Sequence, residues 1–240
     1  MSKPNLNYAK GFLILFLLFS LTNLLALTTA TPLDNYLTKP FLLIWLGLYA
    51  YLQKPFSSTA SGKWLLVGLF FSFLGDTLLL FADDSPGGGN FFLLGLGSFL
   101  LTHIAYWMAF HNWPAPKAGL LSSNPWLVLP FVIYWVVMIF LLWPGLPAAM
   151  LVPVLVYSMV IVLMAIKAWH ISPNLPNQNR KMLLTGVLLF VLSDSIIALS
   201  KFSDWLPYSE LAIGFAIMLT YLIGQLLIVL GMTKDSGVPI

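Results

Sequence analysis

The chain is 240 residues long, 60% of them hydrophobic and 8% charged, far below the roughly 25% charged content of an ordinary soluble domain, so it is a membrane protein. It contains no cysteine, which excludes disulfides, thiolate nucleophiles and cysteine-held zinc or iron–sulfur centres. Its formal net charge of +3 comes from basic residues scattered among the separators of apolar runs, not from a stripe of the kind that binds nucleic acid, and no nucleic-acid partner is expected.

At about 20 mostly apolar residues per crossing, the sequence predicts eight transmembrane helices, at 10–29, 33–53, 63–83, 91–111, 125–143, 147–169, 182–200 and 208–231. These runs are too long for buried strands, which take about 4 to 8 residues. The first follows Lys3 and Lys10 and ends near Thr28-Thr29-Ala30, as a signal peptide would. Its apolar stretch exceeds the usual core of about 7 to 15 residues, so it is read as a retained helix. The separators are polar or turn-forming: Thr31-Pro32, Lys54 to Ser57, the acidic, glycine-rich 83–90, Asn112 to Asn124, Pro144-Gly145, Ser172 to Arg180 and Ser203 to Pro207. None could hold a soluble domain, and residues 1–240 are expected to form a single integral-membrane helical domain, all-α and polytopic.

With a cytoplasmic N-terminus, nine basic residues lie inside and only Lys39 and Lys201 toward the other face, a strong positive-inside bias. Eight crossings return the chain to its starting side, so both termini are expected to be cytoplasmic, in a bacterial inner membrane. Trp64, Trp113, Trp126, Trp143, Trp169 and Trp205 fall near span ends, where an interfacial aromatic belt would place them.

Two runs stand apart: Gly68 to Leu80 and Gly186 to Leu199 each carry one aspartate, Asp76 or Asp194, eight residues after a glycine. A carboxylate is costly in hydrocarbon, so it usually faces the protein interior and marks a functional site. A shift of 118 residues lays Gly68 on Gly186, Asp76 on Asp194 and Thr102 on Thr220, with spans 1 to 4 over spans 5 to 8. That is either a 4+4 parallel repeat or the chance likeness of leucine-rich helices. At a rise of about 1.5 Å per residue, Asn23, Asp76 and Asp194 come roughly 18 to 20 Å above the cytoplasmic ends, and Lys39, counted from the other face, reaches a similar level. Polar residues from spans 1, 2, 3 and 7 are thus expected at one depth.

The aspartates form either a structural lock, with Lys39 as counter-charge, or an acid and base couple, and the cost of burying them favours the couple. Two neighbouring carboxylates in low dielectric cannot easily both ionise, so one holds a proton it can donate while the other stays ionised. His103, the only histidine well inside a span, shares a face with Gly95, Phe99 and Tyr106; a satisfied core histidine is the simpler reading. One buried histidine is too few for a three-histidine zinc site, and no metal or other cofactor is expected. Tyr157, one turn after Pro153, and Tyr221 with Gln225 offer hydrogen bonds to a polar substrate group, or hold helices together. Ser72 and Ser193 lie near the aspartates, where small residues let helices approach. Lys167, His170, Arg180 and Lys181 form a basic cluster that most simply fixes topology.

Lys39-Pro40 in span 2, Gly68, Ser72 and Gly75-Asp76 in span 3, and Gly95, Phe99, His103 and Tyr106 in span 4 begin a series that runs on through Pro153 and Tyr157 in span 6. Gly186, Phe190 and Ser193-Asp194 in span 7 and Tyr221 and Gln225 in span 8 complete it. Spread in order over nearly the whole chain, these pieces resemble the YhhN family of integral-membrane lysoplasmalogenases; only the acidic loop at 83–90 is longer than expected. The resemblance implies a lysophospholipid substrate, a lysoplasmalogen, whose vinyl ether is hydrolysed to a fatty aldehyde and glycerophosphoethanolamine or glycerophosphocholine. The acid and base couple read above suits that reaction, with Asp76 and Asp194 as the expected catalytic residues, in either order. Lys39 would bind phosphate or tune the pair; Asn23, Tyr157, Tyr221 and Gln225 would orient water and the glycerol part, with Ser72, His103, Tyr106 and Ser193 completing the substrate site. The competing class is a proton- or ion-coupled transporter, which intramembrane carboxylates and a repeat also fit but unbroken helices do not.

Overall fold

Inside hydrocarbon every backbone N–H and C=O must be satisfied within the protein, and for long uninterrupted apolar runs the helix does this locally. The computed structural model describes residues 3–29, 32–54, 56–82, 88–115, 117–206 and 209–233. Among them the regular elements are α1 (Lys3–Thr29), α2 (Pro32–Leu52), α3 (Ala60–Leu79), α4 (Gly88–His111), the short α5 (Leu120–Ser123), α6 (Leu129–Leu142), α7 (Ala148–Ile171), α8 (Asn177–Phe202) and α9 (Glu210–Thr233). Single 3₁₀ turns lie at Phe56–Ser58, Pro125–Val128, Trp143–Gly145 and Ser172–Asn174. Seven helices among the described residues are long and apolar enough to cross a membrane, and the protein is an all-α, multi-pass membrane protein. The eighth expected crossing corresponds to α2, which contributes the shorter apolar stretch Thr38–Leu52. Most of the acidic separator, 83–87, lies outside the described residues.

By internal packing the chain divides into two compact units, residues 1–113 with 232–240, and residues 114–231. In the first, α1 buries Ala9, Phe16, Ser20 and Asn23 along one side and exposes Ile14, Leu17, Leu18, Leu21 and Leu25 on the other, the pattern of a helix with one lipid-facing side. Its partner is α2, through Phe12 stacked on Trp45 and Phe19 edge-on to the same ring. The α2–α3 turn is held by Ser57 Oγ donating to the Tyr51 carbonyl at 2.7 Å. Thr59 then caps α3, its Oγ1 accepting from the Gly62 amide at 3.0 Å. Trp113 departs from the expected belt: it is 4% exposed and packs on Phe56, because the chain after α4 folds back over the α2–α3 turn.

The α3–α4 pair carries a seam of small residues. Ser61, Gly68 and Gly75, spaced seven apart, face Ala109, Thr102 and Gly95 with the same spacing in the opposite direction. Ser61 Oγ donates to the Ala109 carbonyl at 2.8 Å and Thr102 Oγ1 to the Gly68 carbonyl at 3.3 Å. A Cβ on Gly95 would stand 3.5 Å from the Gly75 carbonyl oxygen. Such contacts with main-chain carbonyls require the close approach that small residues permit.

The second unit has a seam of the same spacing. Asn179, Gly186 and Ser193 of α8 face Gly231, Gly224 and Ile217 of α9. Asn179 Nδ2 donates to the Gly231 carbonyl at 3.1 Å, and Ser193 Oγ to the Ile217 carbonyl at 3.0 Å. Between them, a Cβ on Gly186 would lie 2.7 Å from the Ile228 amide nitrogen and 2.8 Å from the Gly224 carbonyl oxygen. The position opposite Gly186 is therefore Gly224, whereas Thr102 holds the position opposite Gly68; a uniform 118-residue shift selects Thr220, one helical turn earlier. Met138 and Leu142 of α6 and Val154 of α7 form an apolar cluster with Ala198, Leu199 and Phe202 of α8. Trp126, Trp143 and Trp205 are exposed near helix ends, in keeping with the belt.

The seams make opposite predictions for two glycines. Gly186→Leu forces side-chain atoms against backbone, and its thermal unfolding midpoint in detergent should fall by an amount equivalent to about 1–3 kcal/mol or more. Gly214, also in α9's membrane run, has open space where a Cβ would go, so Gly214→Ala should be neutral or stabilising by up to about 1 kcal/mol. Equal responses at the two positions would contradict the seam.

Candidate active site

Each aspartate stands one residue past the third seam position of its helix: Asp76 after Gly75, Asp194 after Ser193. One residue turns a side chain by about 100° around the axis, so both carboxylates are carried beside the tight helix contact, where there is room for a side chain.

In the first unit Asp76 is only 2% exposed. One turn earlier Ser72 is buried and donates through Oγ to Thr102 Oγ1 at 3.2 Å, while Thr102 also reaches the Ser98 carbonyl. The buried Tyr106 ring lies over Gly68, where a Cβ would come 2.3 Å from ring carbon Cε1, and Phe99 covers Gly75 in the same way. Glycine is required at both places because an aromatic ring occupies the space of a side chain. His103, next to Thr102, is fully buried on α4. In the same unit Asn23 Nδ2 donates to Thr38 Oγ1 at 2.9 Å, which sets Asn23 of α1 beside the residue before the half-buried Lys39.

In the second unit Tyr157 Oη donates to Asp194 Oδ2 at 2.5 Å, the short distance of a hydroxyl bonded to a carboxylate. Hydrogen bonds to charged groups contribute about 1.5–3 kcal/mol net, against roughly 0.6 for an average interhelical bond in a membrane. With Asp194 ionised, this contact would outweigh an average interhelical bond. Pro153, one turn before Tyr157, has no N–H and so removes one rung of the α7 ladder. The next residue along α8, Ser195, is held as well: its Oγ lies 2.5 Å from Tyr134 Oη of α6 and 2.5 Å from the Val191 carbonyl. Ser193 is engaged by the α9 carbonyl described above. Tyr221 meets Phe190 edge-on at 5.5 Å between ring centroids, and Gln225, after the seam residue Gly224, is fully buried.

The structure thus joins Tyr157 to Asp194, sets Ser72 against Thr102 beside Tyr106, and sets Asn23 beside Thr38, the residue before Lys39. It assigns Ser193 a helix-packing contact and Tyr221 an aromatic one. Four residues of these networks escape a reading of the sequence alone: Thr38, Thr102, Tyr134 and Ser195. Tyr134 was visible as a lone hydroxyl in the apolar run Phe131 to Leu142, and Ser195 as the neighbour of an intramembrane aspartate. Among the described residues no three histidine, aspartate or glutamate side chains gather as a metal ion would need.

The family model for the YhhN family matches residues 35–232, a span that contains both aspartates and both seams. This chain belongs to the YhhN family. Two relatives are similar along most of their length. The lysoplasmalogenase TMEM86A of Bos taurus is 32% identical over 202 residues, 82% of this chain and 76% of the relative. That of Homo sapiens is 31% identical over 203 residues, with the same shares covered. No solved structure matches. Of the candidate residues, Asn23 alone precedes the YhhN match.

If the Tyr157–Asp194 bond carries the energy assigned to it, Tyr157→Phe and Asp194→Asn should each destabilise the folded protein, and the double variant should cost less than the two summed by about 1 kcal/mol or more. Unfolding in detergent measures the cycle; additive losses would show that the two groups do not interact.

Proposed function

We propose that this YhhN protein hydrolyses the vinyl ether bond of lysoplasmalogens, with Asp76 and Asp194 as its acid and base. The similarity to two lysoplasmalogenases over four-fifths of the chain carries the substrate class. The deep burial of Asp76 in an apolar span carries the chemistry, because protonating a carbon needs an acid shielded from water.

The reaction consumes one water. A proton is added to the vinyl carbon distal to oxygen, the ether oxygen stabilises the resulting oxocarbenium ion, and water attacks the carbon bonded to oxygen. The hemiacetal so formed loses its proton and breaks its bond to the glycerol oxygen, which leaves as an alcohol beside a fatty aldehyde. The first step calls for a protonated carboxyl and the second for an ionised one that favours the cation and accepts a proton from water. The Tyr157 hydroxyl donating to Asp194 supports the ionised role for Asp194, leaving Asp76 as the acid. Lys39 is assigned the phosphate, and Asn23, His103, Tyr106, Tyr221 and Gln225 the polar part of the lipid and the attacking water. Residues 1–240 act in this reading as one catalytic domain with both termini cytoplasmic, in a bacterial inner membrane; glycerophosphoethanolamine or glycerophosphocholine is the second product.

Purified protein offered a lysoplasmalogen in D₂O should release aldehyde carrying one deuterium at carbon 2, and it should leave an ester lysophospholipid intact. Asp76→Asn and Asp194→Asn should each lower the rate by about 10²-fold or more while remaining folded. Near-normal turnover in both variants would remove the aspartates from the mechanism. Lipid flux across proteoliposomes without aldehyde would replace hydrolysis by transport.

A further inference from the structure

Asp194 and Ser195 are adjacent on α8, so their side chains leave the axis about 100° apart. Each is taken by a tyrosine from a different helix, Asp194 by Tyr157 of α7 and Ser195 by Tyr134 of α6. The Ser195 hydroxyl lies 2.5 Å from the Val191 carbonyl, which cannot donate, so Ser195 donates there and Tyr134 Oη donates to Ser195 Oγ. The result is a directed chain from the α6 phenol through the serine into the α8 backbone. The turn that this bond spans, Val191 to Ser195, contains Asp194. The Tyr134 ring is packed against the Met138–Leu142–Val154 cluster, so its hydroxyl is presented from a fixed base. The α9 seam and Tyr157 already hold α8; the bond from Tyr134 adds a hold at the residue next to Asp194, from a third helix.

We propose that Tyr134 is a positioning residue for Asp194, acting through Ser195 to fix the rotation of α8. The proposal rests on Asp194 serving the reaction as its base. Because sub-ångström to 1 Å misplacement of a reacting group can cost up to about 10²-fold in rate, losing the α6 hydroxyl should be felt in turnover and not in substrate binding.

The decisive variants are Tyr134→Phe, which keeps the ring and its packing, Ser195→Ala, the pair combined, and Ser195→Thr, which keeps a hydroxyl. With a lysoplasmalogen as substrate, each of the first two should lower kcat about tenfold with KM within about twofold. The combination should be no worse than the poorer single, and Ser195→Thr should stay near wild type. Unchanged kcat, a raised KM at normal kcat, or losses that multiply in the combination would each overturn the proposal. A second readout needs no substrate: modification of Asp194 by a membrane-soluble carbodiimide, followed by peptide mass spectrometry, should rise about threefold or more in Tyr134→Phe and Ser195→Ala. Wild-type protein that releases no aldehyde while its labelling responds in this way would refute the lysoplasmalogenase reading and leave the positioning role standing. Labelling unchanged in both variants would refute the positioning role itself.

Discussion

Two pairs of helices, α3 with α4 and α8 with α9, approach so closely that side chains of one reach main-chain carbonyls of the other. In lipid there is no hydrophobic force to press helices together, since the surroundings are as apolar as their side chains. The approach must instead be secured by shape, with glycine where a Cβ would strike backbone or ring, and by short donors that find an acceptor at the point of contact. Ser61 and Asn179 occupy matching ends of the two seams and do the same work with different chemistry, a hydroxyl in one and an amide in the other. Thr102 and Ser193 donate across the seams, Ser72 bonds Thr102, and each aspartate follows a seam residue by one position.

The surroundings of the two aspartates differ in kind. Asp76 is buried on a helix where Ser72, one turn before it, bonds Thr102 and both Gly68 and Gly75 are roofed by rings. Asp194 belongs to a wall of phenols, less deeply buried and bonded to Tyr157. Two carboxylates of the same type thus differ in burial, Asp76 being buried and Asp194 half-buried.

The spans were legible because an apolar run of crossing length has few other fates, and the aspartates because a carboxylate inside such a run has to be explained. Asn23 and Lys39 could be aligned by counting rise along helices, since depth depends on sequence distance alone. Rotation around an axis and choice of neighbour do not. Ser193 reads from the sequence as a substrate contact or as a packing residue, and its bond to the α9 carbonyl supplies a packing role. The lone hydroxyl of Tyr134 stood out, but its pairing with Ser195 did not, because the two are 61 residues apart and no spacing links them. Trp113 lay at a span end like its five fellows, yet which of them meet lipid depends on how the chain folds back afterwards. Thr102 and Thr220 coincided under a uniform shift, but the connection between the third seam positions spans 20 residues from Gly75 to Gly95 and 24 from Ser193 to Ile217, and four residues are about one full turn.

That difference in connection length shows where the chain can change and where it cannot. A residue gained or lost between two seam positions would rotate everything beyond it by about 100°, swinging the carboxylate into the partner helix or out to lipid. The stretches from Ser61 to Asp76 and from Asn179 to Asp194 are the same length, and each behaves as a ruler with one end at the first seam contact and its working mark at the acid. The links between helices carry no such phase. Length variation in this architecture should therefore collect in the connections, which can shorten or grow while the distance from seam to carboxylate stays counted to the residue.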